Sequence, residues 1–378
     1  MMNFEITNFI NTASKSIQVR SRADIYGFIN LSNNEMIHSR LTSLLMEFGK
    51  HYDWSRVRHY PNCEQIRKKV SKLYQLEHDQ ILLTAGTDHA ISQILPFLSF
   101  KTNTLILQTP NFFNYENYAH VNAIKIIPVD FYGLSDNDMR NEFYTQTKNN
   151  PNSIVILTSP HVYTGMCLPA TLISEIVEIC QKHGCLIVID EAYYAFSEED
   201  NIYLLKQNYL NVIILRSFSK AFGVAGMRIG GVFANQDIIT YLMKIGVLGC
   251  VNDPAICLLS YLIDQYHEIL KIRKDLCDVR DYAITFISTL FPQWLVMPSK
   301  SNFITFIVES SKVSDSITEF MNSNKFLIKQ LKNIAPFNNA IRITVADKAV
   351  IDNIFDCLVI WKKRFYKIET DRRNIVDG

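Results

Sequence analysis

The sequence predicts an α/β protein: a large domain with a mostly parallel sheet covered by helices, and a smaller α/β domain. Two observations support this prediction. From about residue 64 to about 240, short apolar runs bounded by polar loops alternate with segments of helical spacing. That alternation is typical of parallel strands covered by helices on both faces. Towards the end of the chain, strand-like and helical segments follow one another in a looser order, which indicates a second domain.

The elements of the large domain follow from periodicity and composition. Helical spacing covers EQIRKKVSKLY (64–74), DHAISQILPFL (88–98) and LISEIVEICQKHG (172–184). The strand-like runs are QILLTA (80–85), TLILQ (104–108), IVILT (154–158), CLIVID (185–190) and NVIILR (211–216). In the second domain, the predicted elements are the strands FITFIVE (303–309) and AIRITVA (340–346) and a final helix near 347–364.

We predict three parts in the chain. Residues 1–40 form an N-terminal segment that packs with the small domain, 41–285 the large domain, and 286–378 the C-terminal small domain. The last residues, KIETDRRNIVDG (367–378), are charged, and we expect them to fray.

Composition restricts the classes of function. Of the 378 residues, 48% are hydrophobic and 20% charged, and the net charge is +1, so nothing indicates a nucleic-acid partner. No apolar run approaches the roughly 20 residues that span a bilayer. The N-terminus lacks a basic start followed by an apolar core. We therefore expect a cytoplasmic protein with no membrane partner.

The eight cysteines form no CxxC pair. The tightest cluster, CQKHGC (180–185), contains two cysteines and His183. A metal site is one interpretation, but zinc prefers four ligands at a recognisable spacing. A helix-to-strand turn explains the cluster better, and we predict no metal.

Ligands of open parallel sheets bind at the carboxyl ends of the strands, so the residues after each strand are the candidates. AGTDHAI follows the first strand-like run, and its small residues lead into a helix. Free N–H groups of Gly86, Thr87 and Asp88 would cradle a phosphate there. By itself, this motif favours a plain tight turn. Phe112, after TLILQ and a proline turn, could cover a flat ring or belong to the core, and taken alone the core is favoured.

DEAYYAF follows CLIVI, which places Asp190 at the end of a buried strand. An ionised aspartate there is costly without a cationic partner. It could cap the following turn, or it could pair with a protonated ring nitrogen. Tyr193, three residues later, could donate to an oxygen of the same ring.

RSFSKAFGVAGMRIG (216–230) follows NVIIL. Lys220 lies among small and apolar residues, which favours a lowered pKa and Schiff-base chemistry over a plain surface lysine. Ser217, Ser219 and Arg228 could hold a phosphate. Together, the strand-end motifs indicate a planar, phosphorylated cofactor with a ring nitrogen that is attached to a lysine. Pyridoxal 5′-phosphate (PLP) fits that description.

The sequence from about residue 29 to about 346 resembles the class I/II aminotransferases of PLP fold type I, in particular their histidinol-phosphate aminotransferase-like branch. RSFSKAFGVAGMRIG and VIDEAYYAF are the most specific motifs. The resemblance implies a transaminase that moves an amino group between an amino acid or amine and a 2-oxo acid.

The resemblance also implies a role for each matching residue. Lys220 would bind the cofactor covalently and move the α-proton, Asp190 would pair with the ring nitrogen, and Tyr193 with the phenolic oxygen. Phe112 would stack on the ring. The phosphate would be held by Gly86, Thr87, Asp88, Ser217, Ser219 and Arg228.

Further matches concern the substrate and a second subunit. Arg342, in AIRITVA, matches an arginine that binds the substrate α-carboxylate, and Asn34 a residue near it. Tyr60, in RHYPN, matches a tyrosine that reaches the phosphate of the neighbouring subunit, which implies a homodimer.

The cofactor-contacting loop departs from the family pattern. It usually reads SPNNPTG, whereas here it reads SPHVYTG (159–165). The second asparagine normally donates to the phenolic oxygen of PLP, and Val162 cannot donate. We expect Tyr193 to be the main remaining donor and the pKa of the lysine–cofactor linkage to rise. We expect a local rearrangement rather than a substitute contact from His161.

Two other departures concern the substrate. Histidinol-phosphate enzymes usually carry an arginine where FLIKQ has Lys329, and lysine lacks the bidentate fork. Their Arg-Pro-Pro-aromatic-Asn loop is replaced by GVLGC (246–250). Both differences favour a related amino acid or amine as the substrate, in a specialised biosynthetic pathway. The alternatives are another PLP reaction on the same fold, such as decarboxylation, oxidation or elimination, and a non-catalytic PLP-binding protein.

Overall fold

The structure is a computed structural model that describes residues 26–98, 102–207, 209–246 and 250–366. Three sequence-based predictions lie wholly or partly outside these ranges. They concern the first 25 residues of the N-terminal segment, the centre of the GVLGC loop (247–249) and the tail 367–378.

Strands account for most of the framework that positions the site. In chain order they are β1 (Ile29–Asn30), β2 (Ile81–Thr84), β3 (Thr104–Thr109), β4 (Lys125–Asp130), β5 (Ile154–Thr158), β6 (Leu186–Asp190), β7 (Val212–Ser217), β8 (Gly230–Ala234), β9 (Leu295–Val296), β10 (Phe303–Ile307), β11 (Phe326–Leu327), β12 (Lys329–Gln330) and β13 (Ala340–Thr344).

The helices are α1 (Ser39–His51), α2 (Glu64–Tyr74), α3 (Thr87–Leu98), α4 (Phe113–Val121), α5 (Asp136–Asn149), α6 (Ala170–Lys182), α7 (Tyr203–Lys206), α8 (Phe218–Ala221), α9 (Gln236–Ile245), α10 (Asp253–Asp264), α11 (Tyr266–Leu290), α12 (Ser311–Ser323) and α13 (Lys348–Trp361). Side-chain N-caps from Ser135, Asn235, Asn252 and Ser310 begin α5, α9, α10 and α12. Such caps satisfy N–H groups that the first helical turn leaves unpaired.

The large sheet has the strand order β2-β8-β7-β6-β5-β3-β4. Pairing is parallel from β4 to β7, whereas β8 runs antiparallel to both β7 and β2. The predicted fold class, α/β with a mostly parallel sheet, is therefore confirmed. The reversed strand β8 is the exception, and the alternation of apolar runs did not indicate it.

Alternate residues of each central strand pack on opposite faces of this sheet. In β5, Ile154 and Ile156 join one hydrophobic cluster, whereas Val155 and Leu157 join the other. Because both faces are covered, the strands are apolar throughout rather than alternating with polar residues. The polar side chains are consequently concentrated at the strand ends.

A second sheet, of antiparallel strands in the order β12-β13-β10-β9, is built from the C-terminal part of the chain. β1 pairs in parallel with β11, so the N-terminal segment is attached to the same part of the molecule. On this basis we propose the three-part division that the sequence predicts. The boundary at 285 falls inside the 25-residue helix α11, which therefore connects the two larger parts.

The CQKHGC segment forms the turn between α6 and β6. His183 is the C-cap of α6, Gly184 has a φ of +71°, and Cys185 directly precedes β6. The ring of His183 shares a hydrogen bond with the hydroxyl of Thr147. Throughout the described ranges, every helix is too short or too polar to cross a bilayer.

Candidate active site

Most of the predicted site residues gather where the central parallel strands end. Asp190 is the last residue of β6, and Ser217 is the last residue of β7. In the strand register, Thr158 pairs with Asp190, and Asp190 with Leu215. The tertiary structure therefore brings these separate stretches of sequence together at one edge, where α/β proteins bind their ligands.

Asp190 is a buried carboxylate with neutral hydrogen-bond donors. Its Oδ2 accepts from the hydroxyl of Tyr115 at 2.8 Å, and its Oδ1 from the N–H of Ala192 at 3.0 Å. Burial raises the pKa of Asp190 to about 6, although both hydrogen bonds oppose the rise. Within the described ranges, no lysine or arginine forms an ion pair with it. A positively charged ligand atom would therefore stabilise the ionised form.

Tyr193 is buried and hydrogen-bonded through its oxygen. The side-chain amide of Asn34 donates to that oxygen at 2.9 Å. Burial raises the pKa of Tyr193, so the hydroxyl keeps its proton at neutral pH. Because the oxygen is an acceptor here, the proton of Tyr193 can serve as a donor elsewhere in the site.

Lys220 lies on the short helix α8, directly after β7. Its Nζ donates to the backbone carbonyl of Asn33 at 2.6 Å. Ser217 and Ser219 are both 5% exposed and flank this lysine. The lysine and the two hydroxyls thus lie together at the end of β7.

The loop before α3 has the close approach that a phosphate cradle requires. Gly86 has a φ of +84°, and a Cβ there would lie 2.6 Å from Nη2 of Arg228. A Cβ at Gly230 would lie 3.1 Å from the backbone nitrogen of Thr87. Glycine at both positions therefore lets the backbone and the guanidinium approach each other.

One detail of the predicted cradle is wrong. The N–H of Gly86 donates to the carbonyl of Thr84 at 2.7 Å, so it is not free for a phosphate. The turn that leads out of β2 uses that group. The amides of Thr87 and Asp88 belong to the first turn of α3, whose N–H groups lack intrahelical acceptors and remain suited to an anion.

Asp88 and Arg228 face each other across the cradle. Their Oδ2 and Nη2 atoms lie 3.6 Å apart, and Oδ1 of Asp88 accepts from the amide of Asn114 at 2.9 Å. Arg228 has a φ of +53°, a left-handed conformation that is uncommon for arginine. The carboxylate therefore holds the guanidinium beside Gly86.

Arg342, in β13, is 8% exposed and has no carboxylate partner within the described ranges. It donates to two backbone carbonyls, that of Val162 at 3.0 Å and that of Ser32 at 3.1 Å. Burial lowers its pKa. Lys329 is directly opposite Arg342 in the β12–β13 register, so both side chains lie on the same face.

The loop SPHVYTG lies between the large sheet and the second sheet. Val162 is buried in a cluster with Tyr193, Phe303 and Phe337. Nε2 of His161 lies 2.7 Å from the carbonyl of Pro110. Nδ1 of His161 accepts from the N–H of Thr164 at 3.3 Å. Burial lowers the pKa of His161 to about 4. The neutral ring of His161 therefore forms hydrogen bonds inside the protein.

Two other predicted site residues, Phe112 and Tyr60, differ in their exposure. Phe112 is half-buried at the N-cap of α4, where it packs against hydrophobic clusters on both sides. Tyr60 is fully exposed, with a relative accessibility of 101%, and this chain does not bring it into its own site.

Sequence reasoning missed Tyr115 and Asn33. Tyr115 follows Phe112 by one helical turn in α4, and that spacing is a usable signal for a residue near the same site. The contact of Asn33 uses its backbone carbonyl, and no residue type signals such a contact.

Comparison with known proteins identifies the family. Residues 26–358 match the family described as Aminotransferase class I and II. A histidinol-phosphate aminotransferase of Bacteroides fragilis is 28% identical over 298 residues, which cover 77% of this chain and 83% of that protein.

Two solved structures share the fold. A histidinol-phosphate aminotransferase of Sinorhizobium meliloti in complex with PLP has a TM-score of 0.79, 18% identity, and coverage of 94% of this chain and 97% of that one. An L-threonine-O-3-phosphate decarboxylase of Porphyromonas gingivalis has a TM-score of 0.72, 20% identity, and coverage of 89% and 100%.

The chain belongs to the class I and II aminotransferase family. It is a PLP-dependent transaminase, as the resemblance implied. The site fits this cofactor. Gly86 and Gly230 let the Arg228 guanidinium approach the start of α3, Asp190 lacks a cationic partner in the described part of the chain, and Tyr193 has a proton to donate.

Proposed function

We propose that this transaminase acts on an α-amino acid donor and a 2-oxo acid acceptor, both bound through a carboxylate at Arg342, and that histidinol phosphate is not its main substrate. The observation that carries the proposal is the burial of Arg342 without a carboxylate partner in the described residues. A buried cation is costly unless it is paired, and a substrate carboxylate would supply the partner.

Substrate choice follows from what surrounds this arginine. Lys329 lies on the same face of the second sheet and keeps a positive charge, but a lysine cannot bind an anion through two parallel hydrogen bonds. The B. fragilis relative, which is named for histidinol phosphate, is only 28% identical to this chain. The altered residues therefore favour a related amino acid over histidinol phosphate.

We propose the following roles for the residues at the strand ends. When bound, PLP withdraws electrons from the α-carbon of the substrate. Nζ of Lys220 would hold the cofactor in the resting enzyme and would later move the α-proton. Asp190 would keep the ring nitrogen protonated, and Tyr193 would donate to the ring oxygen.

The remaining roles concern binding. Phe112 would cover one face of the ring. Arg342 would orient the substrate so that its Cα–H bond faces Lys220. The phosphate would be held by Thr87, Asp88, Ser217, Ser219 and Arg228, with Gly86 leaving space for the guanidinium.

A matched pair of ligands tests the carboxylate site. In Arg342→Gln, we expect the affinity for an amino acid to fall on the order of 100-fold, because removing one partner of a buried charge pair costs several kcal/mol. The affinity for the corresponding amine, which lacks the carboxylate, should change little. The measurement is the loss of visible absorbance of the cofactor-loaded enzyme as each ligand is titrated.

Arg342→Lys is the control for charge, and it should recover part of the affinity for the amino acid. Equal losses for the amino acid and the amine would contradict the proposal. The products of the same reactions also test the second candidate, a decarboxylase. Transamination forms a 2-oxo acid, whereas a decarboxylase would release carbon dioxide and form no 2-oxo acid. Val162, which cannot donate to the cofactor ring, is the observation that keeps this candidate open.

We also propose a homodimer in which Tyr60 reaches the phosphate bound by the partner subunit. Tyr60, Trp54 and Val57 are all more than half exposed and lie on one short stretch of chain. An apolar and aromatic stretch of this kind is typical of an interface core.

A further inference from the structure

Three consecutive residues of the N-terminal segment each contact one of the principal site residues. The carbonyl of Ser32 accepts from Arg342 at 3.1 Å, and the carbonyl of Asn33 accepts from Lys220 at 2.6 Å. The side-chain amide of Asn34 donates to the oxygen of Tyr193 at 2.9 Å. The third contact differs from the first two because it uses a side chain, and that side chain has a defined direction.

Asn34 is held by hydrogen bonds to residues in and directly beside the second sheet. It is 1% exposed and has a φ of +56°, a left-handed conformation that asparagine tolerates better than most residues. Its backbone N–H donates to the hydroxyl of Thr344 at 2.9 Å. Its backbone carbonyl accepts from the amide of Asn302 at 2.9 Å. The position of Asn34 is therefore set independently of Tyr193.

The same contacts decide which end of the Asn34 amide faces Tyr193. The hydroxyl of Thr344 accepts from the backbone of Asn34, so its own proton can point to Oδ1 of Asn34, 3.4 Å away. Oδ1 then faces Thr344, and the NH₂ group faces Tyr193. A neutral tyrosine has one hydroxyl proton, and an oxygen that accepts from an amide directs that proton away from the amide.

We propose that Asn34 is a positioning residue that directs the hydroxyl proton of Tyr193 towards the ring oxygen of the cofactor. The inference rests on the proposed function, because it takes Tyr193 as the donor to that oxygen. Val162 makes the orientation more important, since the loop residue that could share this contact has no donor. The family resemblance implies a position for Asn34 near the substrate carboxylate, whereas this role concerns the cofactor.

The test exploits an isosteric change. In Asn34→Asp, the carboxylate cannot donate but can accept, so the proton of Tyr193 turns towards residue 34 and away from the ring oxygen. A less stabilised phenolate raises the pKa of the lysine–cofactor linkage. We expect the midpoint of a pH titration of the visible absorbance of the cofactor-loaded enzyme, without substrate, to rise by about one pH unit.

A second variant keeps the proposal testable if Asn34→Asp fails to fold. Asn34→Gly tolerates the positive φ and removes the donor without adding a charge, so it should raise the midpoint by less. The control is Asn333→Asp, because Asn333 is also an asparagine with a positive φ of +62° but is exposed. Its titration should coincide with that of the wild type.

A double variant separates positioning from a direct charge effect. In a Tyr193→Phe background, Asn34→Asp should leave the midpoint unchanged, because the proton that it redirects is gone. The same rise with and without the Tyr193 hydroxyl would overturn the inference, as would lowered thermal stability with an unmoved midpoint in both Asn34 variants. A wild-type protein that develops no visible absorbance with PLP would overturn the proposed function itself, and this inference with it.

Discussion

At the scale of single residues, Val162 is the substitution with the clearest chemical consequence. Its side chain packs with Tyr193 and Phe303, and its backbone carbonyl accepts from Arg342 at 3.0 Å. The backbone of the loop is thus linked to Arg342, while the side chain has no donor that it could offer to a cofactor ring. Tyr193, directed by Asn34, compensates for that loss in our proposal.

Restoring the donor should reverse the effect. In Val162→Asn, we expect the pKa of the lysine–cofactor linkage to fall by about one unit, because a hydrogen bond to the charged phenolate stabilises it by about 1.5–3 kcal/mol. A pH titration of the visible absorbance measures this shift. Val162→Ala, which shortens the side chain without adding a donor, is the control. Equal titrations of Val162→Asn and the wild type would mean that residue 162 does not face the ring oxygen.

At the scale of structural elements, the loop 159–165 is held by contacts that the family pattern does not imply. The ring of His161 lies 4.1 Å from that of Phe131, and its nitrogens bond to the carbonyl of Pro110 and the N–H of Thr164. At Gly165, with a φ of +74°, a Cβ would lie 2.1 Å from the hydroxyl oxygen of Ser299. His161 therefore serves the packing of the loop.

The buried His161 predicts a pH dependence of stability. Its pKa is lowered to about 4 in the folded protein, so the unfolded chain binds more protons between about pH 4 and its usual value of 6.5. This contribution to the free energy of unfolding is present above about pH 6.5. It is lost as the pH falls towards about 4, by up to about 3 kcal/mol.

Replacing His161 by asparagine should remove that pH dependence, because asparagine does not titrate. We expect the difference in unfolding free energy between about pH 5 and about pH 7.5 to be smaller in His161→Asn than in the wild type. Urea denaturation of the cofactor-free protein at both pH values measures it. The exposed His120, changed to asparagine, is the matched control. An identical pH dependence in His161→Asn and the wild type would show that this histidine does not carry the effect.

At the scale of the whole molecule, the site needs parts that are far apart in sequence. Asn34 and Tyr193 are 159 positions apart, and Arg342 reaches the carbonyl of Ser32 across 310 positions. In the described part of the chain, β1 pairs with β11, so the segment that carries Ser32, Asn33 and Asn34 is attached to the C-terminal part of the molecule. In our proposal, the site also needs a second copy of the chain, because the exposed Tyr60 would reach the phosphate bound by the partner subunit.

Mixed dimers test this need for a second copy. In our proposal, Lys220→Ala and Tyr60→Ala should each have low activity as pure dimers, because one would lack the amine that holds the cofactor and the other a phosphate contact. After the two are unfolded and refolded together, a hybrid dimer has one site with both residues intact. We expect roughly a quarter of the wild-type activity from an equal mixture, since half of the dimers are hybrids with one working site.

Refolding each variant alone is the control for that experiment. An equal mixture that shows only the average of the two separate activities would place Tyr60 and Lys220 of one chain in the same site. Sedimentation of the wild type gives an independent measure of the dimer.

The sequence alone determined the fold class and most of the candidate site. Buried parallel strands produce continuous apolar runs, and the residues that follow them lie at one edge of the sheet, so Asp190, Ser217 and Lys220 could be proposed together from local patterns. Specific motifs then identified the family, and the comparisons confirmed it.

Other features were decided only by the tertiary structure. The antiparallel direction of β8, the use of the Gly86 amide within its own turn, and the hydrogen bond from Asn34 to Tyr193 left no local signal. The spacing of Tyr115 from Phe112 places it near the site but does not indicate that its partner is Asp190. Local patterns report which face of an element is buried. The partner of a hydrogen bond depends on which distant groups the packing brings within about 3 Å, and that is settled only when the whole chain folds.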